Sequence, residues 1–204
     1  MTMGVRHDDL RKRNRAMVIA AVRREGQPSR TDLVNRTGLS HSTISAISSD
    51  LIAEGVLRPV KGAGNDVVRR GRPQVSLGLE PKAGTVLTVV LLLNTLSATV
   101  IDYAGQTVAE RRERLSTLTI SRAELVDAVF AMVEGVLSDS GREASDVMRM
   151  TMAVQGITDS GGRALLWTPI TPHSGIAFAD LLKARFGFPV TVQNDCNMIA
   201  VPLR

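Results

Sequence analysis

Apolar positions keep a helical period early in the chain and fall into strand-like runs later. In "RNRAMVIAAVRREG", residues 13–26, Met17, Val18, Ala21 and Val22 share one helical face, and Gly26 supplies the stop. "SRTDLVNRTG" predicts a short helix with Ser29 as cap, Asp32 three residues on in a capping box, and Gly38 at its end. In "LSHSTISAISSDLIAEG", residues 39–55, Ser40 is a natural N-cap. Ile44, Ile47 and Leu51 make one buried stripe, and Gly55 ends the helix. Three helices are therefore expected. Only Gly38-Leu39-Ser40 separates the last two, the spacing of a helix-turn-helix.

After Gly55, "VLRPVKGAGNDVVRRGRP" predicts strand, Gly-rich turn and strand, which is a wing. "TVLTVVLLL", "LSATVIDYAG" and "TVAERRERL" predict three successive strands, with breaks at Asn94 and at Ala104-Gly105. "SRAELVDAVFAMVEGVLSDSG" predicts an amphipathic helix. Ser121 and Glu124 form its capping box, and Leu125, Val129, Met132 and Val136 its apolar face. "VMRMTMAVQG" predicts a further strand, "IAFADLLKARFG" a helix ending at Gly187, and "FPVTVQND" a strand running into Asn194-Asp195.

Composition narrows the classes. One cysteine, Cys196, excludes an intrachain disulfide and is expected to be a small buried hydrophobe. The N-terminus is polar and basic, without the apolar core of a signal peptide. The run "TVLTVVLLL" is far short of a membrane span of about 20 residues, so a cytoplasmic protein is expected, with no membrane partner. His7, His41 and His173 lack metal-ligand spacing, and no serine sits in a Gly-x-Ser-x-Gly turn. No metal, cofactor or catalytic residue is expected. The lone Trp167 is expected to be packing.

Charge is uneven. Residues 1–73 hold 14 Lys and Arg against 7 Asp and Glu, whereas residues 74–204 hold 11 against 13. The basic excess of the first third suits a polyanion partner. The third helix offers His41, Ser42, Thr43, Ser45 and Ser48 outward, short polar groups that can enter a major groove. Lys61 and Arg69 in the wing are candidates for phosphates. Arg70-Gly71-Arg72-Pro73 resembles the core of an AT-hook. Glycine permits close backbone approach, proline fixes an extended path, and two guanidinium groups suit a narrow A·T minor groove. The other reading of the tetrapeptide is a basic interdomain linker.

"SRTDLVNRTGLSHSTISAISSDLIAEGVLRPV", followed by "GRPQVSLGLEPKAG", resembles the N-terminal region of ROK-family transcriptional repressors (repressors, open reading frames, sugar kinases). The resemblance runs from about residue 14 to 200. It implies a mixed α/β protein: a winged helix-turn-helix over residues 1–80, then an incomplete actin-like, ribonuclease-H-like ROK lobe over 81–204. It further implies control by a sugar effector. A dimer, as a homodimer or mixed dimer, is expected on an inverted repeat of double-stranded DNA, A/T-rich on the ground of Arg-Gly-Arg-Pro.

ROK kinases carry an Asp-Xaa-Gly-Xaa-Thr turn after the first strand that cradles ATP phosphates. The matching "LLLNTLSATV" has neither glycine nor carboxylate, and Leu92, Leu93 and Leu96 are expected to fill the region. By the same resemblance, Asn194, Asp195 and His173 are the ligand candidates. Gln193 replaces an acidic residue, and Ile170 stands where an asparagine that contacts sugar is expected. Asn194-Asp195 reads equally as a helix cap. The resemblance places a second lobe beyond this point and Pro202 is expected to break the next helix, so a shortened regulator is expected. Two rivals are a sugar kinase and an interaction module that pairs with a longer paralogue.

Overall fold

The structure is a computed structural model that describes residues 7–61 and 75–196. It divides into two compact units, Met1–Ala83 and Gly84–Arg204.

The first unit holds helices α1 (His7–Glu25), α2 (Arg30–Thr37) and α3 (His41–Ala53), with strands β1 (Leu57–Lys61) and β2 (Val75–Leu79). Asp8 and Asp9 in the first turn of α1 and Arg23 and Arg24 in its last suit the helix dipole, and the helix begins well before the apolar face that predicts it. Gly38 ends α2 at φ 70°, a left-handed turn that glycine makes without strain. At the end of α3 the Val56 amide bonds back to the Leu51 carbonyl and the Gly55 amide to the Ile52 carbonyl, which closes a Schellman turn. Val18, Val22, Leu33, Ile44, Leu51, Leu57 and Leu77 form the aliphatic core.

The wing differs from its sequence reading. β1 pairs antiparallel with β2, from Leu57 opposite Leu79 to Lys61 opposite Val75. The strand paired with β1 is therefore "VSLGL", beyond Arg-Gly-Arg-Pro, while "DVVRR", where the sequence reading put the second strand, lies outside the described residues. A bridge between Ser29 and Ser76 and a bond from the Leu77 amide to the Pro28 carbonyl hold the other edge of β2. Residues 62–74 join two strands of one hairpin, so the tetrapeptide belongs to that connection and is no link between units.

The second unit contains β3 (Thr85–Leu92), β4 (Thr95–Asp102), β5 (Thr107–Arg114), α4 (Arg122–Ser140), β6 (Val147–Val154), β7 (Ile157–Thr158), β8 (Leu165–Trp167), α5 (Phe178–Phe186) and β9 (Val190–Asn194). The main sheet runs β5-β4-β3-β6-β9. β4 is antiparallel to both neighbours, and β3, β6 and β9 are parallel. This is the strand order expected of a ribonuclease-H-like layer.

One face of the sheet carries Leu87, Val89, Leu91, Ala98, Val100, Met150, Met152 and Val192. It packs with Leu125, Val129, Met132 and Val136 of α4 and Phe178 and Leu182 of α5. Ser121 and Glu124 make the predicted capping box. Arg111 of β5 bonds Asp139 of α4 through two nitrogens, at 3.0 and 3.1 Å. It lies where a Cβ on Gly135 would be 2.4 Å from its Nη1, so the missing side chain makes room for the guanidinium. The short β7–β8 hairpin has no counterpart among the predicted elements. Trp167 is 54% exposed on it, contrary to the packing role expected from sequence. β8 is only three residues long and buries Leu165 alone, so Leu166 and Trp167 find no cover.

Candidate nucleic-acid interface

α2 and α3 are set by their caps. Ser29 Oγ accepts from the Asp32 amide at 3.2 Å while the Asp32 carboxylate accepts from the Ser29 amide at 2.9 Å and its hydroxyl at 2.7 Å. These bonds, the hydroxyl first, hold the Asp32 carboxyl below the usual carboxylate range. Ser40 Oγ accepts from the Thr43 amide at 3.2 Å. The same oxygen lies 2.9 Å from the Ser42 hydroxyl and 2.8 Å from that of Thr43, so three hydroxyls form one cluster at the N-terminus of α3.

Burial then sorts the helix. Ile44, Ile47 and Leu51 face the core as the spacing predicts. His41, Ser42 and Ser45 are exposed and Thr43 is half-buried. Ser48 is fully buried and its hydroxyl has no partner, which corrects its assignment to the outward face. It stands one turn from Ile44 and Leu51, inside the stripe. The outward row from Ser42 continues instead through Ala46 and Ser49, both exposed, which a 3.6-residue period from Ser42 would have found.

Arg11 of α1 donates to Asp50 of α3 at 2.8 Å, and Arg15 donates through both terminal nitrogens to Glu54. The bond to Glu54 raises the Arg15 pKa above its ordinary value. Sequence offers no signal for these pairs, because each joins residues 39 positions apart. Lys61 closes β1, and Arg58 on the same strand is exposed. Arg69, Arg70 and Arg72 lie outside the described residues.

The ligand candidates of the second unit are held by separate anchors. Asn194 Nδ2 donates to the Gly156 carbonyl, and its Oδ1 accepts from the Cys196 amide at 2.8 Å, the bond of a helix cap. Asp195 Oδ1 accepts from the same amide at 3.0 Å. Cys196 is exposed in this turn, contrary to its expected burial. His173 Nε2 donates to the Ile120 carbonyl at 2.7 Å, and Arg122 donates to the carbonyls of Ser174 and Gly175. These bonds tie the 173–175 segment to the start of α4. Ile170 is 2% exposed within the core cluster.

The β3–β4 turn is Leu93-Asn94, since Leu92 pairs with Thr95. Asn94 adopts φ 54°. Its amide donates to Thr117 Oγ1 at 3.1 Å, and its side-chain oxygen accepts from the Thr117 amide at 3.3 Å. The turn amide is thus taken internally. Leu96 is buried as expected, whereas Leu93 is 49% exposed at the tip and does not fill the region. Among the described residues no group of three His, Cys, Asp or Glu could hold a metal ion, and no helix is long and apolar enough to cross a membrane.

A helical unit with a strand hairpin, followed by a ribonuclease-H-like sheet with its helices, defines a two-unit α/β protein. The sequence model of the ROK family matches residues 93–202, more than half of the chain, and the chain belongs to that family. The xylose repressor of Caldicellulosiruptor bescii is 20% identical over 191 residues, covering 94% of this chain and 47% of the relative. The xylose repressor of Bacillus subtilis is 20% identical over 190 residues, with 92% and 47% covered. The chain spans about half the length of the curated relatives it matches. A solved ROK family transcriptional regulator, a homologue of the E. coli Mlc protein, shares its fold at TM-score 0.65 and 19% identity, over 91% of this chain and 46% of that one. A ROK glucokinase from Streptomyces griseus, solved with glucose and AMPPNP, aligns at TM-score 0.50 and 25% identity, over 57% and 35%.

Proposed function

We propose that this chain is a DNA-binding transcriptional regulator, a repressor of sugar-related genes, whose first unit is a winged helix-turn-helix. The observation that carries this reading is the form of α3: a buried apolar stripe on one side, and His41, Ser42 and Ser45 exposed on the other. A major groove about 12 Å wide admits one helix, and short side chains let it approach base edges closely. His41, Ser42, Thr43 and Ser45 are the candidates for base edges or phosphates there.

The hairpin packed beside α3 through β1 acts as the wing. Its connection carries Arg69, Arg70 and Arg72. Arg70 and Arg72 enter the adjacent A/T-rich minor groove, while Lys61 and Arg69 meet phosphates. A dimer pairs half-sites about one helical turn apart on an inverted repeat. The relatives named as xylose repressors support a sugar effector, with Asn194, Asp195 and His173 as its candidate contacts. The protein works in the cytoplasm and is no kinase: the Leu93-Asn94 turn spends its amide on Thr117 and lacks the glycine that phosphate binding needs.

Fluorescence anisotropy on A/T-rich inverted-repeat and G/C-rich duplexes across a salt series tests this reading. An A/T preference lost in Arg70→Ala/Arg72→Ala is the expected result. Absence of binding to every duplex at low salt would overturn it. One observation favours a second reading. Ile157, Leu166 and Trp167 expose an apolar patch on β7 and β8, which suits a module completed by a longer paralogue in a mixed dimer. Light scattering on the purified protein separates a self-dimer from a monomer.

A further inference from the structure

α3 is an odd helix to present to a polyanion. Between His41 and Ala53 it has no lysine or arginine, and its carboxylates are Asp50 and, at the C-cap, Glu54. The helix C-terminus adds partial negative charge at the same end. Left alone, this surface repels phosphates.

α1 supplies the missing cations. Arg11 meets Asp50 and Arg15 meets Glu54 at the same offset of 39 residues, so the two pairs stand one helical turn apart on neighbouring helices. They do not serve the same end. Arg15 is 23% exposed and grips Glu54 through two nitrogens, a geometry that fixes the helix pair. Arg11 and Asp50 make a single bond with side chains 66% and 41% exposed, and such a pair adds little to stability. It borders the groove that Ser42, Thr43 and Ala46 also line, beside the outward face of α3.

We infer that Arg11 is a positioning residue for DNA binding: it neutralises Asp50 at the edge of the reading face, and without it the bare carboxylate opposes the phosphates. The inference rests on the functional reading above and names a group that acts through Asp50, with no contact of its own to DNA.

The test compares wild type, Arg11→Ala, Asp50→Asn and the double variant in anisotropy titrations on a fluorescein-labelled A/T-rich inverted-repeat duplex across a salt series. Thermal melts of each variant verify folding. Arg11→Ala is expected to weaken binding by about threefold or more, the scale of one exposed like charge partly screened by salt. Asp50→Asn is expected to bind at least as tightly as wild type, because it frees Arg11. The double variant is expected to return to within about twofold of wild type, since both charges are then gone. A direct phosphate contact by Arg11 would leave the double variant as weak as Arg11→Ala, with a salt slope lower by about 0.9, and would overturn the inference. Weakened binding by Asp50→Asn would overturn it too. Wild-type protein that bound no duplex would overturn the functional reading and the inference together, whereas binding without rescue sinks the inference alone.

Discussion

Ser29 and Asp32 hold one another at the start of α2, each accepting the other's amide hydrogen. The hydroxyl and amide of Ser29 keep the Asp32 carboxyl below its ordinary range. A depressed folded pKa contributes stability that is present above the unfolded value and is lost as pH falls through the folded one. The first unit is therefore expected to keep its melting temperature at neutral pH and to lose it on acidification below about 4. Asp32→Asn should flatten that dependence, as read from circular dichroism melts at a series of pH values. Ser29→Ala should cost about 1 kcal/mol at neutral pH.

Ile44 is fully buried in the first unit. Ile44→Ala is expected to destabilise that unit by about 2–5 kcal/mol and to abolish duplex binding. The only tryptophan, Trp167, lies in the second unit. Its fluorescence transition should stay where it is in wild type while the helical signal of the first unit melts early. A matching shift in both probes would mean that the two units unfold together.

Asn94 combines a left-handed backbone with reciprocal bonds to Thr117. Asn94→Ala should cost about 1–3 kcal/mol in the second unit, because alanine strains at that φ and removes the side-chain oxygen that accepts from the amide and hydroxyl of buried Thr117. Asn94→Gly should cost less, as it restores the backbone and loses only the side chain. Trp167 fluorescence in urea measures both.

Hexose-dependent ATP turnover is expected to be absent. Phosphoryl transfer depends on positioning and charge neutralisation, and in the β3–β4 turn the Asn94 amide is bonded to Thr117 and neither residue carries a carboxylate for magnesium. A coupled assay with glucose and xylose checks this, and sugar-dependent turnover would reverse the non-enzymatic reading.

What could be read ahead of the fold was local. Ser29, Ser40 and Ser121 announce helix starts because capping needs only residues three apart, and the Ile44–Ile47–Leu51 stripe follows from helical period. What escaped depends on partners distant in sequence. The pairing of "VSLGL" with β1 was not legible, because only a partner distant in sequence selects it. Ser48 looked solvated because serine is polar, yet its position put it among Ile44 and Leu51. Of the proposed DNA contacts, the face of α3 was legible residue by residue except at Ser48, Ala46 and Ser49. The Arg11–Asp50 and Arg15–Glu54 pairs were invisible, since nothing local couples residues on separate helices.

The pairing of Lys61 with Val75 has an evolutionary consequence. A linker between two units transmits every insertion to the spacing of those units. A segment whose two ends are pinned to one ladder transmits none. Doubling the length of such a loop costs only about 0.6 kcal/mol of closure entropy. The stretch that carries Arg70 and Arg72 can therefore be lengthened, shortened or recharged while the folds on either side stay as they are, and selection can retune what it touches without rebuilding the protein that holds it.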